Sequence, residues 1–280
     1  MSIKLIVTDL DGTFLNSNHI TIPQENIDAF KKAHEMGIKV AIASGRTKIL
    51  TDYLVEQLPF LDYLITSNGA VTYDMETGET VCSTLLSNEK SIGIFYTLED
   101  YGLPYEIYFE GDCYMNSDSY SLFDENHVSP HIYNLLKDFI KEVPKLRDLI
   151  GKKGIEKLNI LSLTDKQRNE LEEKIAGIGE VAFASSFPKG EGKNGNLEMT
   201  DINATKGFAV KGLCDALNID SSNVMCFGDG ENDCPMLSFA EYSFAMANGS
   251  DYAKNTAKFI TDTNDNAGVA KAIRKYVFGE

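Results

Sequence analysis

Two aspartates stand directly after an apolar run in IVTDLDGTF, residues 6–14, and Asp9-Leu10-Asp11 is the single Asp-x-Asp of the chain. Side chains alternate along a strand, so Asp9 and Asp11 project together if the extended backbone of Leu5-Ile6-Val7 continues past them. Three further apolar runs end in polar, loop-forming residues: Ser44-Gly45-Arg46, Ser67-Asn68-Gly69, and Gly228-Asp229-Gly230-Glu231-Asn232-Asp233. Converging on one edge of a sheet, these ends gather three or four carboxylates. Like charges at that spacing repel strongly. A hard divalent cation resolves the conflict, and oxygen ligands acting beside a phosphate favour Mg²⁺. Lys206 sits near the start of a helix-like segment, where the helix dipole disfavours a cation. A bound anion removes that penalty. Singly, each piece has a plain structural reading: Asp-x-Asp as a turn, Ser44 as a helix cap, GDGEND as a glycine-rich turn with Asp233 capping a helix that carries Pro235, and Lys206 as a surface lysine. Their joint occurrence points to one site.

The elements that must position these residues follow from the apolar pattern. KLIVTDL, IKVAIASG and DYLITSNGA read as buried strands. ITIPQENIDAFKKAHEMG reads as a helix with a Thr21–Gln24 capping box, Pro23 in its first turn and Gly37 at its end. TKILTDYLVEQL reads as a second helix. Strands alternating with short helices predict a parallel sheet with helices on both faces, whose ligands bind beyond the carboxyl ends of the strands. From about residue 85 to 195 the pattern changes. PYEIYFEGDCYMNS resembles a hairpin, IEKLNILSLT and VAFASSF read as strands, and DKQRNELEEKIAGIG reads as a helix. Strand and helix alternate again after Gly195, through TKGFAVKGLCDALN, NVMCFGDG, CPMLSFA, YSFAMANG, FITD and NAGVAKAIRKYVF. The expected organisation is an α/β core from 1–84 and 196–280, interrupted by an α+β module at 85–195.

The chain has 280 residues, 43% of them hydrophobic, enough for one large or two smaller cores. No apolar run approaches the length needed to span a bilayer. The first residues carry no basic, long apolar and small-residue cleavage pattern, so a cytoplasmic location is expected. The five cysteines are odd in number and form no Cys-x-x-Cys, which fits free thiols, with Cys226 in a core run. A net charge of −16 argues against nucleic acid or an anionic membrane as partner. No protein partner is implied.

DLDGT, ASGR, the isolated Lys206 and GDGEND together resemble the four motifs of the haloacid dehalogenase superfamily. SNGA and NDCPML are similar to its Cof-type phosphatases, which carry a large α+β (type IIB) cap between the second and third motifs. The resemblance covers the whole chain, with the cap matching in position and style. It implies a Rossmann-like core and a Mg²⁺-dependent phosphatase acting on small phosphomonoesters, such as sugar phosphates or phosphorylated cofactors. Asp9 would be the nucleophile that forms an aspartyl-phosphate, and Asp11 the general acid and then base. Asp9, Asp229 and the Asp11 backbone carbonyl would bind Mg²⁺. Ser44, the Gly45 amide at a helix N-terminus, the Leu10 amide and Asn232 would hold phosphate. Lys206 would neutralise developing charge, with Asp233 orienting it. Many relatives have glycine shortly before the motif lysine. Here the approach reads Asp201-Ile202-Asn203-Ala204-Thr205, and asparagine tolerates the left-handed turn glycine would make.

Other features have weaker claims. His127 and His131 have the spacing of helical zinc ligands, but Pro130 lies between them. Lys141, Lys145, Arg147, Lys152, Lys153 and Lys157 read as a solvated face. PKGEGKNG, residues 188–195, reads as the return from module to core rather than an anion loop. Tyr105, Tyr108, Tyr114 and Met115 alternate as cap-core residues do and are also candidates for a substrate pocket. The leaving group is not legible. Two rivals share these motifs: a phosphomutase, which would release no net phosphate, and a noncatalytic phosphometabolite-binding regulator, which would not need a nucleophile.

Overall fold

The computed structural model describes residues 3–99, 101–124, 133–134, 136–150, 154–185 and 195–280. The chain forms two compact units, one of residues 1–46, 50–83 and 205–280, the other of residues 47–49 and 84–204.

The first unit is built on an eight-stranded sheet. Its strands are β1 (Leu5–Thr8), β2 (Lys39–Ala43), β3 (Tyr63–Thr66), β4 (Val71–Asp74), β5 (Thr80–Ser83), β12 (Val224–Gly228), β13 (Tyr242–Ala245) and β14 (Phe259–Ile260), in the order β14-β13-β12-β1-β2-β3-β4-β5. The six strands from β14 to β3 run parallel, and β4 and β5 return antiparallel. Val7 lies opposite both Cys226 and Ala41, so β1 is central. Its alternation supplies both faces. Ile6 packs with Phe30 and Ala33 of the helix Gln24–Glu35 and with Val269 and Ile273 of the helix Gly268–Ile273. Leu5 and Val7 pack with Val210 and Leu213 of the helix Lys206–Leu217 and with Met236 of the helix Cys234–Phe239. This is the expected parallel core covered on both faces, and Cys226 lies within it.

Several local expectations change. The first helix has Pro23 at its N-cap and no side-chain cap bond. Thr21 instead accepts from Asn18, so the Thr21–Gln24 capping box does not form. Gly37 does end the helix, at φ 82°. After Ser44 the expected long helix is absent. Only a turn at Lys48–Leu50 and a short helix at Asp52–Val55 follow.

The second unit has a six-stranded sheet of β6 (Tyr105–Phe109), β7 (Asp112–Asn116), β8 (Ile140–Val143), β9 (Lys157–Leu163), β10 (Val181–Ala184) and β11 (Gly195–Asp201), ordered β10-β11-β9-β6-β7-β8. The β7–β8 pair is parallel and the others antiparallel. One face packs Tyr105, Ile107, Leu158 and Leu197 against Phe95 and Leu171 of two helices, Asn88–Glu99 and Asp165–Ala176. The second helix does carry a capping box, from Thr164 to Gln167. Because β11 pairs with both β9 and β10, the module extends to Ala204 rather than ending at 195. Tyr105, Tyr108 and Met115 are buried in this unit, as residues of its own packing. Lys157, read as solvated, is buried against Glu198 at 3.1 Å, whereas Lys141 is half-exposed and pairs with Asp112. His127, His131, Lys152, Lys153 and residues 188–194 lie outside the described residues. No helix among the described residues is long and apolar enough to cross a membrane.

Candidate active site

Parallel strands deliver their carboxyl ends to the same sheet edge, so the loops after β1, β2, β3 and β12 meet there. Asp9 leaves β1 still extended, at φ −67° and ψ 164°. The chain then turns through Leu10–Phe14, with Gly12 at φ 78°. A Cβ on Gly12 would collide with the Asp229 carboxylate, so glycine allows both the left-handed turn and the close approach. Leu10 is fully buried by its side chain.

Lys206 lies at the centre. Thr205 caps its helix by accepting from the Phe208 amide. The Lys206 ammonium, 1% exposed, donates to Asp9 Oδ1 at 2.5 Å and to Asp233 Oδ1 at 2.6 Å. Asp233 Oδ2 accepts the Asp229 and Gly230 amides, each at 2.9 Å. Both Asp233 oxygens are therefore committed to holding Lys206 and the loop after β12. Asp229 Oδ1 accepts the Thr13 hydroxyl at 2.7 Å. One oxygen each from Asp9, Asp229 and Asp233 lies within 4.8 Å of the others.

Three carboxylates thus surround one ammonium in a buried site. Burial first, then the charges of Asp233 and Asp229, hold Asp9 well above the ordinary aspartate value of 3.8, against the pull of Lys206. Asp229 is also raised, chiefly by burial and then by Asp233, although Thr13 bonds to it. Burial opposes the Lys206 charge, but Asp233 and Asp9 outweigh it and raise its proton affinity. A hard cation fits this donor set: Asp9 and Asp229 each keep an oxygen not used by Lys206 or Thr13, and their charges are undercompensated.

Asp11 behaves differently. Its carboxylate is gripped by Arg46, with Nε to Oδ2 at 2.9 Å and Nη2 to Oδ1 at 2.6 Å, while His19 Nδ1 lies 3.1 Å from Oδ1. Arg46 also donates to the Tyr53 hydroxyl and the His19 carbonyl. Burial alone would raise Asp11, but bonding and charge from Arg46, then His19, hold it below the ordinary value. The expectation that Asp9 and Asp11 project together is therefore corrected. The strand ends at Thr8, and Leu10, between the two aspartates, has left the extended conformation, which breaks the alternation that would align them.

Ser44 is fully buried, and its hydroxyl accepts the Arg46 amide at 3.0 Å. Gly45 lies against the Asn68 carboxamide. With no helix starting at Ser44–Gly45, any anion there would meet loop groups rather than a helix dipole. Asn232 is exposed and donates to Asn68 Oδ1 at 3.1 Å. The approach to Lys206 needs no left-handed asparagine, because Asn203 has negative φ and its amide donates to Asp201 Oδ1 at 3.0 Å. Sequence reasoning gave no role to Thr13, His19, Arg46 or Asn68. Thr13, Arg46 and Asn68 lie inside DLDGT, ASGR and SNGA, which is their only signal, and His19 has none.

The haloacid dehalogenase-like hydrolase family matches residues 6–273, and the chain belongs to it. Two relatives from Bacillus subtilis strain 168 carry the same name, 5-amino-6-(5-phospho-D-ribitylamino)uracil phosphatase. YcsE is 30% identical over 277 residues, covering 99% of this chain and 97% of the relative. YwtE is 29% identical over 294 residues, covering 99% of each. Among solved structures, a haloacid dehalogenase-like hydrolase from Bacteroides thetaiotaomicron superposes with a TM-score of 0.81 at 26% identity, covering 98% of this chain and 99% of that one. The protein is an enzyme of the phosphatase branch of this family.

Proposed function

We propose that the protein hydrolyses small phosphomonoesters with Mg²⁺ through an aspartyl-phosphate. The observation that carries this reading is the buried Lys206 ammonium shared by Asp9 and Asp233, with the Asp229 carboxylate beside them. Asp9 and Asp229, with the Asp11 backbone carbonyl, would hold the ion. Asp233 would not, because both of its oxygens are engaged. Mg²⁺ bound there would supply positive charge against these carboxylates and the phosphate.

Asp9 attacks phosphorus, forming an Asp9 O–P bond as the P–O bond to the leaving group breaks. Asp11 gives that alkoxide a proton, then takes one from the water that breaks the Asp9 O–P bond. Lys206 is already ordered and cationic, so it balances the added charge without reorganisation. Ser44, the Gly45 and Leu10 amides and Asn232 hold the phosphate oxygens. The second unit selects the leaving group. The shared name of YcsE and YwtE makes a phosphorylated ribitylamino-pyrimidine the first substrate to test, alongside sugar and cofactor phosphates.

The test is phosphate release over a metabolite panel with Mg²⁺ and after exhaustive chelation. Release that chelation abolishes is expected. No release from any member, or full activity after chelation, overturns the reading.

A further inference from the structure

We infer that Asn68 is a positioning residue for the phosphate site, an inference that rests on the phosphatase reading above. Ser67, Asn68 and Gly69 follow β3 with φ of 51°, 58° and 110°. Three successive residues occupy the left-handed region, and two are not glycine. Such strain persists only where surrounding contacts impose it. Here the Ser67 amide donates to the Arg46 carbonyl at 2.9 Å, and the Asn68 amide donates to the Ser44 carbonyl at 3.0 Å.

That backbone aims the Asn68 side chain between two loops. Its Oδ1 accepts from Asn232 Nδ2, the one side-chain hydrogen bond of Asn232 among the described residues. The carboxamide also fills the space beside Gly45, where a Cβ would stand 3.0 Å from Oδ1. Gly69 closes on the start of the Lys206 helix, where a Cβ would collide with the Thr205 carbonyl. One three-residue loop therefore touches the Ser44–Gly45 loop, the Thr205–Lys206 start and Asn232. Asn232 is exposed and free to sample rotamers without its tether. Asn68 thus fixes Asn232 relative to Gly45 before the anion arrives and spares binding that ordering cost.

Asn68→Gly separates side chain from backbone, because glycine adopts φ 58° without strain and folding is retained. Inorganic phosphate is titrated calorimetrically into the Mg²⁺-saturated protein, and p-nitrophenyl phosphate turnover gives kcat and KM. N68G should weaken phosphate binding and raise KM about tenfold while kcat changes less than about threefold. Asn232→Ala leaves the strained loop intact and should weaken binding at least as much. If Asn68 acts through Asn232, the N68G/N232A double variant binds no more weakly than N232A. Wild-type affinity in N68G, or a double variant losing the product of the single losses, overturns the inference while the phosphatase reading stands. A wild-type protein that neither binds phosphate nor releases it from p-nitrophenyl phosphate overturns both.

Discussion

Asp9 and Asp11 are separated by a single residue in sequence but have different partners in space, so substitutions at the two should separate. Asp9→Asn removes the proposed nucleophile and should lower kcat more than about a thousandfold. It should not lower thermal stability at neutral pH, because it relieves a crowded, buried negative charge. Asp11→Asn should slow both chemical steps yet leave acid-quenched phosphoenzyme detectable with a radiolabelled substrate. Phosphate trapped on the Asp9→Asn protein would refute the assignment. Arg46 supplies a third test. Its fork favours the ionised form of Asp11, whereas the proposed first chemical step needs a proton there. Arg46→Met should raise the proton affinity of Asp11, so the basic limb of the kcat/KM profile moves to higher pH. An unchanged profile means that Arg46 does not govern this proton.

At the scale of elements, the loop after β1 depends on Gly12. Gly12→Ala forces an L-residue to φ 78° and drives a methyl into the Asp229 carboxylate. The expected cost is on the order of 1–3 kcal/mol in urea unfolding, with loss of Mg²⁺-dependent turnover. Wild-type stability and activity would show that the loop can move aside. The strands were legible because Leu5-Ile6-Val7 and Val224-Met225-Cys226-Phe227 are apolar on both faces, as buried parallel strands must be. Convergence of Asp9, Lys206, Asp229 and Asp233 followed from strand ends and motif order. The direction of Asp11 did not, because a strand's period says nothing once the chain leaves the extended conformation at Leu10. Nor did the role of Asn68, since hydrophobic pattern does not report a left-handed backbone. The boundary near 195 was misplaced because residues 195–201 form a strand of the module, and an apolar strand looks alike in either sheet.

For the whole molecule, the proposed site should make stability depend on both metal and pH. Asp9 and Asp229 bind protons more tightly in the folded chain than at their ordinary value of 3.8. Between that value and their raised folded values, the folded state holds more protons than the unfolded one. Without metal, their contribution to stability therefore falls as pH rises through that window. Asp11 has the opposite sign: its depressed folded value adds stability above 3.8 that is lost only as pH falls below it. Lys206, raised above 10.5, contributes stability that is fully present below that value and is lost only in strong alkali. Above 3.8 and below 10.5, the Asp9–Asp229 pair is thus the part of this set whose contribution changes with pH. Mg²⁺ at the proposed site would need the deprotonated carboxylates, so protons would compete with it there. At about 100 times its dissociation constant, Mg²⁺ should add about 2.7 kcal/mol, or roughly 5–10 °C in Tm. The shift should shrink as pH falls through the window and vanish in Asp229→Asn, which would lose a proposed ligand but keep the Thr13 and Asp233 neighbours. Differential scanning fluorimetry across pH with and without Mg²⁺ reads this directly. A Tm indifferent to Mg²⁺ at neutral pH, or a shift that survives Asp229→Asn, places the ion elsewhere or removes it from the site.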